Sequence, residues 1–149
     1  MGDSRSETGF VLIATCIAMM ILLAVAGLAV DIGRMYVIKS ELQAFADAAA
    51  LSEARVIDGS EAGNTRAREA ATNLTQGPNA MKWDMGTETI TEITSTFENK
   101  NGQASARVTV TVPAPVVFLR AFRSFSPDFT TVAATSVAVK TAQAARLIQ

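Results

Sequence analysis

Hydrophobic residues are concentrated in one uninterrupted run near the N-terminus. Residues 10–30 contain no charged side chain, and their only polar atoms are the Thr15 hydroxyl and the Cys16 thiol. At about 1.5 Å per residue, a helix of this length spans about 31 Å, which matches the hydrocarbon thickness of a bilayer. Because only a helix satisfies its own backbone hydrogen bonds in lipid, the run predicts a transmembrane helix.

Two processed forms of this segment are alternatives. The string Ala24-Val25-Ala26 has the small-x-small pattern of a signal-peptide cleavage site, although the apolar run is long for a signal and only Arg5 precedes it. A lipoprotein signal would end at Cys16, yet fourteen more residues of the run follow that cysteine. The flanking Lys and Arg residues do not decide the orientation. The short N-terminal tail, which contains nothing to fold, favours a cytoplasmic N-terminus and an exported C-terminal part.

From Asp31 onward the pattern becomes amphipathic. Apolar residues recur at spacings of three and four on one helical face, while charged residues fall off that face. The apolar stripe consists of Met35, Ile38, Leu42, Phe45 and Ala49, and the residues off it include Arg34, Glu41, Asp47 and Arg55. Since no proline precedes Pro78, the pattern predicts one continuous helix from about residue 10 to about residue 55, which Asp58-Gly59-Ser60 ends.

The rest of the chain predicts a small α+β head. A second helix is expected over residues 63–75, capped by Asn64 or Thr65. Alternation predicts antiparallel strands over 87–97, 104–112 and 129–139, and a short helix or apolar loop over 116–125. The core face of the last strand is expected to contain Val132, Val137 and Val139, with Ala134 undecided, and residues 140–149 are unassigned.

These segments predict four regions. Residues 1–9 form a cytoplasmic leader or tail, 10–30 a transmembrane helix, 31–58 an amphipathic extension of the same helix, and 59–149 an extracytoplasmic α+β head. The fold class is therefore α+β, with a long N-terminal transmembrane and amphipathic helix packed on a small antiparallel sheet. The sheet is required because the apolar stripe of the extension needs a cover.

Composition excludes several classes of function. The 13 basic and 14 acidic residues give a net charge of −1, which argues against a nucleic-acid partner. Because the chain has no histidine and one cysteine, it offers no His-based catalysis, internal disulfide or cysteine zinc cluster. Glu88 and Glu92 fit a solvated strand face, and Trp83 fits a core anchor better than a ligand site. We therefore expect no enzymatic activity, no cofactor and no metal site.

Two strings resemble known pilus proteins. Gly9-Phe10-Val11-Leu12-Ile13 is similar to the type IV pilin export segment, in which a prepilin peptidase cuts after the glycine. Asp31-Ile32-Gly33-Arg34, followed by the string from Leu42 to Leu51, resembles the N-terminal region of TadE/TadG-like proteins of Tad (Flp) pilus assembly systems. The resemblance covers residues 8–54 and implies a pilin-like helix.

The resemblance also implies roles for particular residues. Gly9 and Phe10 would flank a prepilin-type processing site. Ala14 stands where a pilin carries glutamate, and the von Willebrand-type domain of longer family members is missing, so a minor pilin or pseudopilin is implied rather than a major pilin. The motif and helix-packing residues would be Gly27, Asp31, Gly33, Arg34, Leu42 and Asp47.

Small residues within the helix fit such packing. Gly27, Ala29 and Gly33 leave a smooth surface on which another helix could approach closely. Asp31 and Arg34 lie three positions apart and could pair with each other. They would either face partner helices or mark the membrane boundary.

The expected function is that of a structural or assembly component of a Tad-type pilus. The protein would be a single-pass protein of the bacterial inner membrane, with its head periplasmic or extracellular, and its partners would be the membrane and other pilus proteins, contacted through the helix. The alternative is a signal-anchored ligand-binding or sensor domain with a pocket around Trp83.

Overall fold

A computed structural model of the chain describes residues 4–100, 103–122 and 131–140. The helices within these ranges are α1 (Ser4–Val56) and α2 (Glu61–Thr72), with single 3-10 turns at Asn73–Thr75 and Leu119–Phe122. The strands are β1 (Lys82–Trp83), β2 (Glu88–Thr89), β3 (Ile93–Lys100), β4 (Gln103–Pro113) and β5 (Thr131–Lys140). The expected α+β class, a long apolar N-terminal helix with a small antiparallel sheet, is confirmed.

Helix α1 is continuous through both halves of the sequence pattern, as the absence of proline predicts. It ends at Val56, and the chain reverses through Gly59, whose φ of 84° lies in the left-handed region that glycine tolerates. The cap of α2 was predicted wrongly. Ser60, not Asn64 or Thr65, accepts the Gly63 amide, because the helix begins at Glu61, two residues earlier than expected.

The three-stranded sheet has the order β3-β4-β5, and both strand pairs are antiparallel. The predicted strand over residues 87–97 is divided in the structure. Its first part, β2, pairs with β1 in a separate two-stranded hairpin, while its second part begins at Ile93 as β3. Alternation fixes which side of a strand faces the core, but it does not specify which strand is the partner.

The core lies between α1 and the inner face of the three-stranded sheet. The predicted stripe of α1 is buried there, with Ile38 and Leu42 fully inaccessible, and β4 contributes Val108, Val110 and Val112. The predicted core face of β5 is wrong at two positions. Val132 and Ala134 point inward, whereas Val137 and Val139 are about half exposed, because strict alternation places odd-numbered residues of β5 on the outer face.

The apolar run of α1 remains outside this core. The exposed fractions of Phe10, Leu22 and Val30 are 74%, 68% and 65%, and most of the neighbouring residues are exposed to a similar extent. Within the described ranges, α1 is the one helix that is long and apolar enough to cross a membrane. Parts of two predicted elements, residues 123–125 and 129–130, lie outside the described residues, as do residues 141–149.

Candidate functional site

Two of the charged residues predicted to matter, Asp31 and Arg34, lie where α1 leaves its apolar run. At this point the head returns to the helix through two segments, the β1–β2 hairpin and the loop after β4. The side chains of Asp31, Arg34 and Glu41 contact those segments. Three side chains within about three turns of one helix therefore hold the near end of the head.

Asp31 binds the backbone of the loop after β4. Its Oδ1 accepts the amide of Val117 at 3.1 Å, and its Oδ2 accepts the amide of Leu119 at 2.6 Å. The residue is only 3% exposed. Burial opposes ionisation of this carboxyl, but the amides of Leu119, Val117 and Phe118, together with the charge of Arg34, lower its pKa below the ordinary value. Asp31 therefore acts as a charged acceptor for a loop that is distant in sequence.

Arg34 pairs with the head rather than with Asp31. Its Nε and Nη2 donate to the two carboxylate oxygens of Asp84 at 3.0 and 2.6 Å, and its Nη1 donates to the Pro115 carbonyl at 3.4 Å. The predicted pairing of Asp31 with Arg34 is therefore wrong. The two side chains are close enough to interact electrostatically, but each makes its hydrogen bonds to a different segment of the head. This bidentate geometry suits a guanidinium and not an ammonium group.

Glu41 holds the tip of the β1–β2 hairpin. Its carboxylate accepts the amide of Met85 at 3.1 Å. The tip is unusual because Asp84, Met85 and Gly86 all have positive φ, at 54°, 57° and 83°. Such a conformation is costly for a side chain like that of Met85. Arg34 and Glu41 bind the strained turn from the helix side and hold it in place.

The two motif glycines have different surroundings. A Cβ atom on Gly27 would collide with the ring of Phe118, so this glycine allows the loop after β4 to pack directly on α1. A Cβ atom on Gly33 would meet no atom of the described residues within 4 Å. Of the two positions predicted to admit a close helix partner, Gly27 is therefore occupied by the head itself, and Gly33 remains open.

The other predicted site residues are not drawn into this cluster. Leu42 is fully buried in the core, and Asp47 is exposed and accepts a hydrogen bond from Gln43 at 2.9 Å. Gly9 and Phe10 lie on the exposed apolar part of α1. Their roles in processing, and those of the motif residues in packing between molecules, stay predictions.

An open apolar groove of about 570 Å³ lies beside the cluster. It runs between α1 and the start of β5, and its lining includes Leu28, Ile32, Met35, Tyr36, Leu119 and Val132. Leu28 belongs to the apolar run, and Ile32 lies two residues beyond its end. The groove therefore extends the apolar surface of the helix onto the adjoining part of the head.

Sequence reasoning missed three members of this site. No contact within this site was predicted for Asp84, Glu41 or Phe118, although each contacts a motif residue or the neighbouring turn. The sequence carried one usable signal, which is a glycine two positions after Asp84 in a short segment between apolar residues. That pattern is typical of a tight hairpin turn with left-handed residues.

The comparisons with known proteins bear on the same helix. Residues 9–55 match the Tad family model, described as putative Flp pilus-assembly TadE/G-like. This match confirms the expected resemblance. No curated protein and no solved structure matches the chain. The matched segment, residues 9–55, thus coincides with α1 almost end to end, and it contains Asp31 and Arg34, which bind the head.

Proposed function

We propose that the protein is a structural or assembly component, a minor pilin or pseudopilin, of a Tad/Flp-type pilus. It carries out no enzymatic reaction. The apolar half of α1 anchors it in the bacterial inner membrane, with the N-terminus in the cytoplasm and the head on the far side. Once assembled with partners, the same half helix packs against other pilus proteins.

The observation that carries this proposal is the position of the Tad match. It covers an α-helix whose first half has apolar side chains exposed on every side. A soluble protein does not leave such a surface in water, because exposed apolar area costs free energy in proportion to its size. Lipid, or the apolar helices of a filament, are the two environments that cover it.

A second surface of α1 supports contact with partner helices. Beyond the apolar run, the face turned away from the head is exposed and contains small or apolar residues at spacings of three and four from residue 33 to residue 44, and again at residue 51. These residues are Gly33, Val37, Ser40, Ala44 and Leu51. The stripe is continuous with the apolar run, so one partner helix could follow α1 from the membrane to the head.

The alternative, a ligand-binding or sensor head, relied on a pocket at Trp83. The indole ring is 6% exposed and packs in the core, and its Nε1–H donates to the Thr89 carbonyl at 3.1 Å. Trp83 therefore serves as a core anchor of the β1–β2 hairpin. No feature of its surroundings favours the alternative.

The test is made in the native bacterium with the gene deleted and restored. We expect deletion to abolish pili, and we expect the protein in membrane or sheared-pilus fractions. Intact mass then reports processing, since loss of residues 1–9 indicates prepilin-type cleavage and loss through Ala26 indicates a signal peptide. Recovery only within a soluble complex, with piliation unaffected by the deletion, contradicts the proposal.

A pair of matched variants tests the partner stripe. Ala44→Trp places a bulky ring on the open face of α1, while Ala62→Trp makes the same change on an exposed position of α2. Both proteins should fold. We expect only Ala44→Trp to reduce piliation strongly, because it blocks close helix approach. Equal piliation by the two variants would show that this face has no partner.

A further inference from the structure

The loop after β4 presents apolar side chains at the level where the apolar run of α1 ends. Residues 116–119, here the apolar loop, read Val116-Val117-Phe118-Leu119. Val117 and Phe118 are 66% and 47% exposed, although the loop is fastened to α1. A polar loop would be expected at this position if it faced only water.

The depth of the apolar loop follows from its contacts with α1. Phe118 packs on Gly27, and the amides of Val117 and Leu119 bind Asp31. Gly27 lies inside the apolar run, about 6 Å along the helix before Asp31. If residues 10–30 span the bilayer, Phe118 therefore lies at the border between acyl chains and headgroups.

The backbone amides of the apolar loop find hydrogen-bond partners within the protein, as a site with little water requires. The amide of Val116 donates to the Ala114 carbonyl at 2.9 Å, and those of Val117 and Leu119 donate to the Asp31 carboxylate. Arg34 also donates to the Pro115 carbonyl. Backbone groups near hydrocarbon must find protein partners, since an unpaired group there costs several kcal/mol.

The surroundings of the loop extend the same surface. Leu119 lines the apolar groove together with Leu28 and Ile32, which lie at the end of the span. Arg120, next in the chain, is exposed and can reach lipid phosphates while its stem stays on apolar surface.

We propose that the apolar loop inserts into the outer interface of the bilayer, giving the head a second lipid contact beside the transmembrane helix. Asp31 caps the amides of the inserting loop, Gly27 admits the Phe118 ring, and the occupant of this surface is membrane lipid. The head is thereby held upright on the bilayer instead of pivoting on α1. This inference rests on the proposed membrane anchor.

The test uses the full chain in vesicles of phosphatidylcholine and phosphatidylglycerol at a high lipid-to-protein ratio. An environment-sensitive fluorophore is attached at Val117→Cys in a Cys16→Ala background, and quenching by lipids with a nitroxide near the headgroup or deep in the chain is measured. Met85→Cys and Val139→Cys are the controls. They occupy similarly exposed apolar positions on the head, at 69% and 51% exposure.

If residues 10–30 span the bilayer, both control positions lie outside it. Met85 is bound by Glu41, about 15 Å along α1 beyond Asp31, which is farther than the headgroup layer extends. Val139 precedes Lys140, which bonds to the Arg55 and Ile57 carbonyls at the distal end of α1. Native Cys16, labelled in the unmodified chain, reports the span itself.

We expect the nitroxide near the headgroup to quench the label at position 117 strongly. The nitroxide deep in the acyl chain should quench the label at Cys16, and neither should quench the labels at positions 85 and 139 appreciably. Quenching at Cys16 with position 117 no more quenched than the controls would overturn the loop insertion while leaving the anchor intact. A blue-shifted but unquenched label at 117 indicates a protein neighbour, such as a second copy, and also overturns it. No quenching at Cys16 would overturn both the anchor and the insertion.

Discussion

Gly27 and Gly33 are the same residue type in the same helix, but they have different surroundings. Both sit in α1 near the end of the apolar run, and both were expected to admit a neighbouring helix. The Phe118 ring of the same chain occupies the space above Gly27, while none of the residues that the structure describes occupies the space above Gly33. A glycine in a helix costs about 1 kcal/mol relative to alanine, so at Gly27 the close approach of the head offsets that cost.

Alanine substitution separates the two glycines. We expect Gly33→Ala to leave the stability of the isolated protein unchanged or to raise it by up to about 1 kcal/mol, because helix propensity improves and nothing is displaced. Gly27→Ala should not gain this stability, because the new methyl group displaces Phe118. Its thermal stability should therefore be lower than that of Gly33→Ala. Thermal unfolding of both variants in one detergent provides the comparison. Equal stabilisation by the two substitutions contradicts the packing of Phe118 on Gly27.

At the scale of elements, one face of α1 is covered by the head and the opposite face is exposed. One face packs on the sheet, and along the edge of β5 the Lys39 ammonium and the Gln43 amide donate to the carbonyls of Ala133 and Thr135. Edge strands expose unpaired carbonyls that invite pairing with other chains, and here two of them are covered by the helix. The opposite face of α1, including Leu51, is open.

Two leucines of α1 test this division into faces. Leu42 is completely buried, so Leu42→Ala should destabilise the head by about 2–5 kcal/mol through lost contacts and a residual cavity. Leu51 is 54% exposed, and Leu51→Ala should change stability by no more than about 0.5 kcal/mol. Urea unfolding of the full chain in micelles, followed by the fluorescence of buried Trp83, measures both. A large loss in the Leu51 variant would show that the open face is covered in the monomer.

At the scale of the whole molecule, the carboxyl groups make opposing contributions to stability. Asp31, Asp58 and Glu98 have pKa values lowered by hydrogen bonds and nearby charges, so they stabilise the fold above the ordinary carboxyl range and lose that contribution in acid. Glu53 differs from them. It is fully buried between α1 and β3, and Ser95 donates to its Oε1 at 2.5 Å, while its Oε2 has no partner among the described residues.

Burial raises the pKa of Glu53 above its ordinary 4.5, although the Ser95 hydrogen bond and the charge of Arg68 oppose the shift. Well below 4.5 the group is protonated in both folded and unfolded chains, so its titration contributes nothing to the pH dependence of stability there. As pH rises from 4.5 through the folded pKa, the unfolded chain releases its proton first, and stability falls.

We therefore expect Glu53→Gln to match the wild type in acid and to exceed it in stability near neutral pH. Thermal unfolding of both proteins between about pH 4 and about pH 8 gives the difference, in which the contributions of the other carboxyls cancel. Glu69→Gln, an exposed position on α2, is the control and should leave the pH dependence unchanged. A difference between the Glu53 variant and the wild type that does not grow with pH contradicts the buried carboxyl as its source.

The sequence by itself determined the elements whose signals are local. The uncharged run 10–30, the stripe from Met35 to Ala49 and the alternation in β4 each repeat with the period of a helix or a strand, so the continuous helix and the α+β class follow from residues close together in the chain. The Tad motif was recognisable for the same reason, since it is one contiguous string.

Only the tertiary structure decided what the motif residues contact. Arg34 meets Asp84 from 50 positions away, and Asp31 meets Val117 and Leu119 from 86 and 88 positions away. Local periodicity contains no information about which distant loop returns to a given helical turn. Such pairings depend on the register of the sheet and on the length of the connections, and these are fixed only when the whole core packs together.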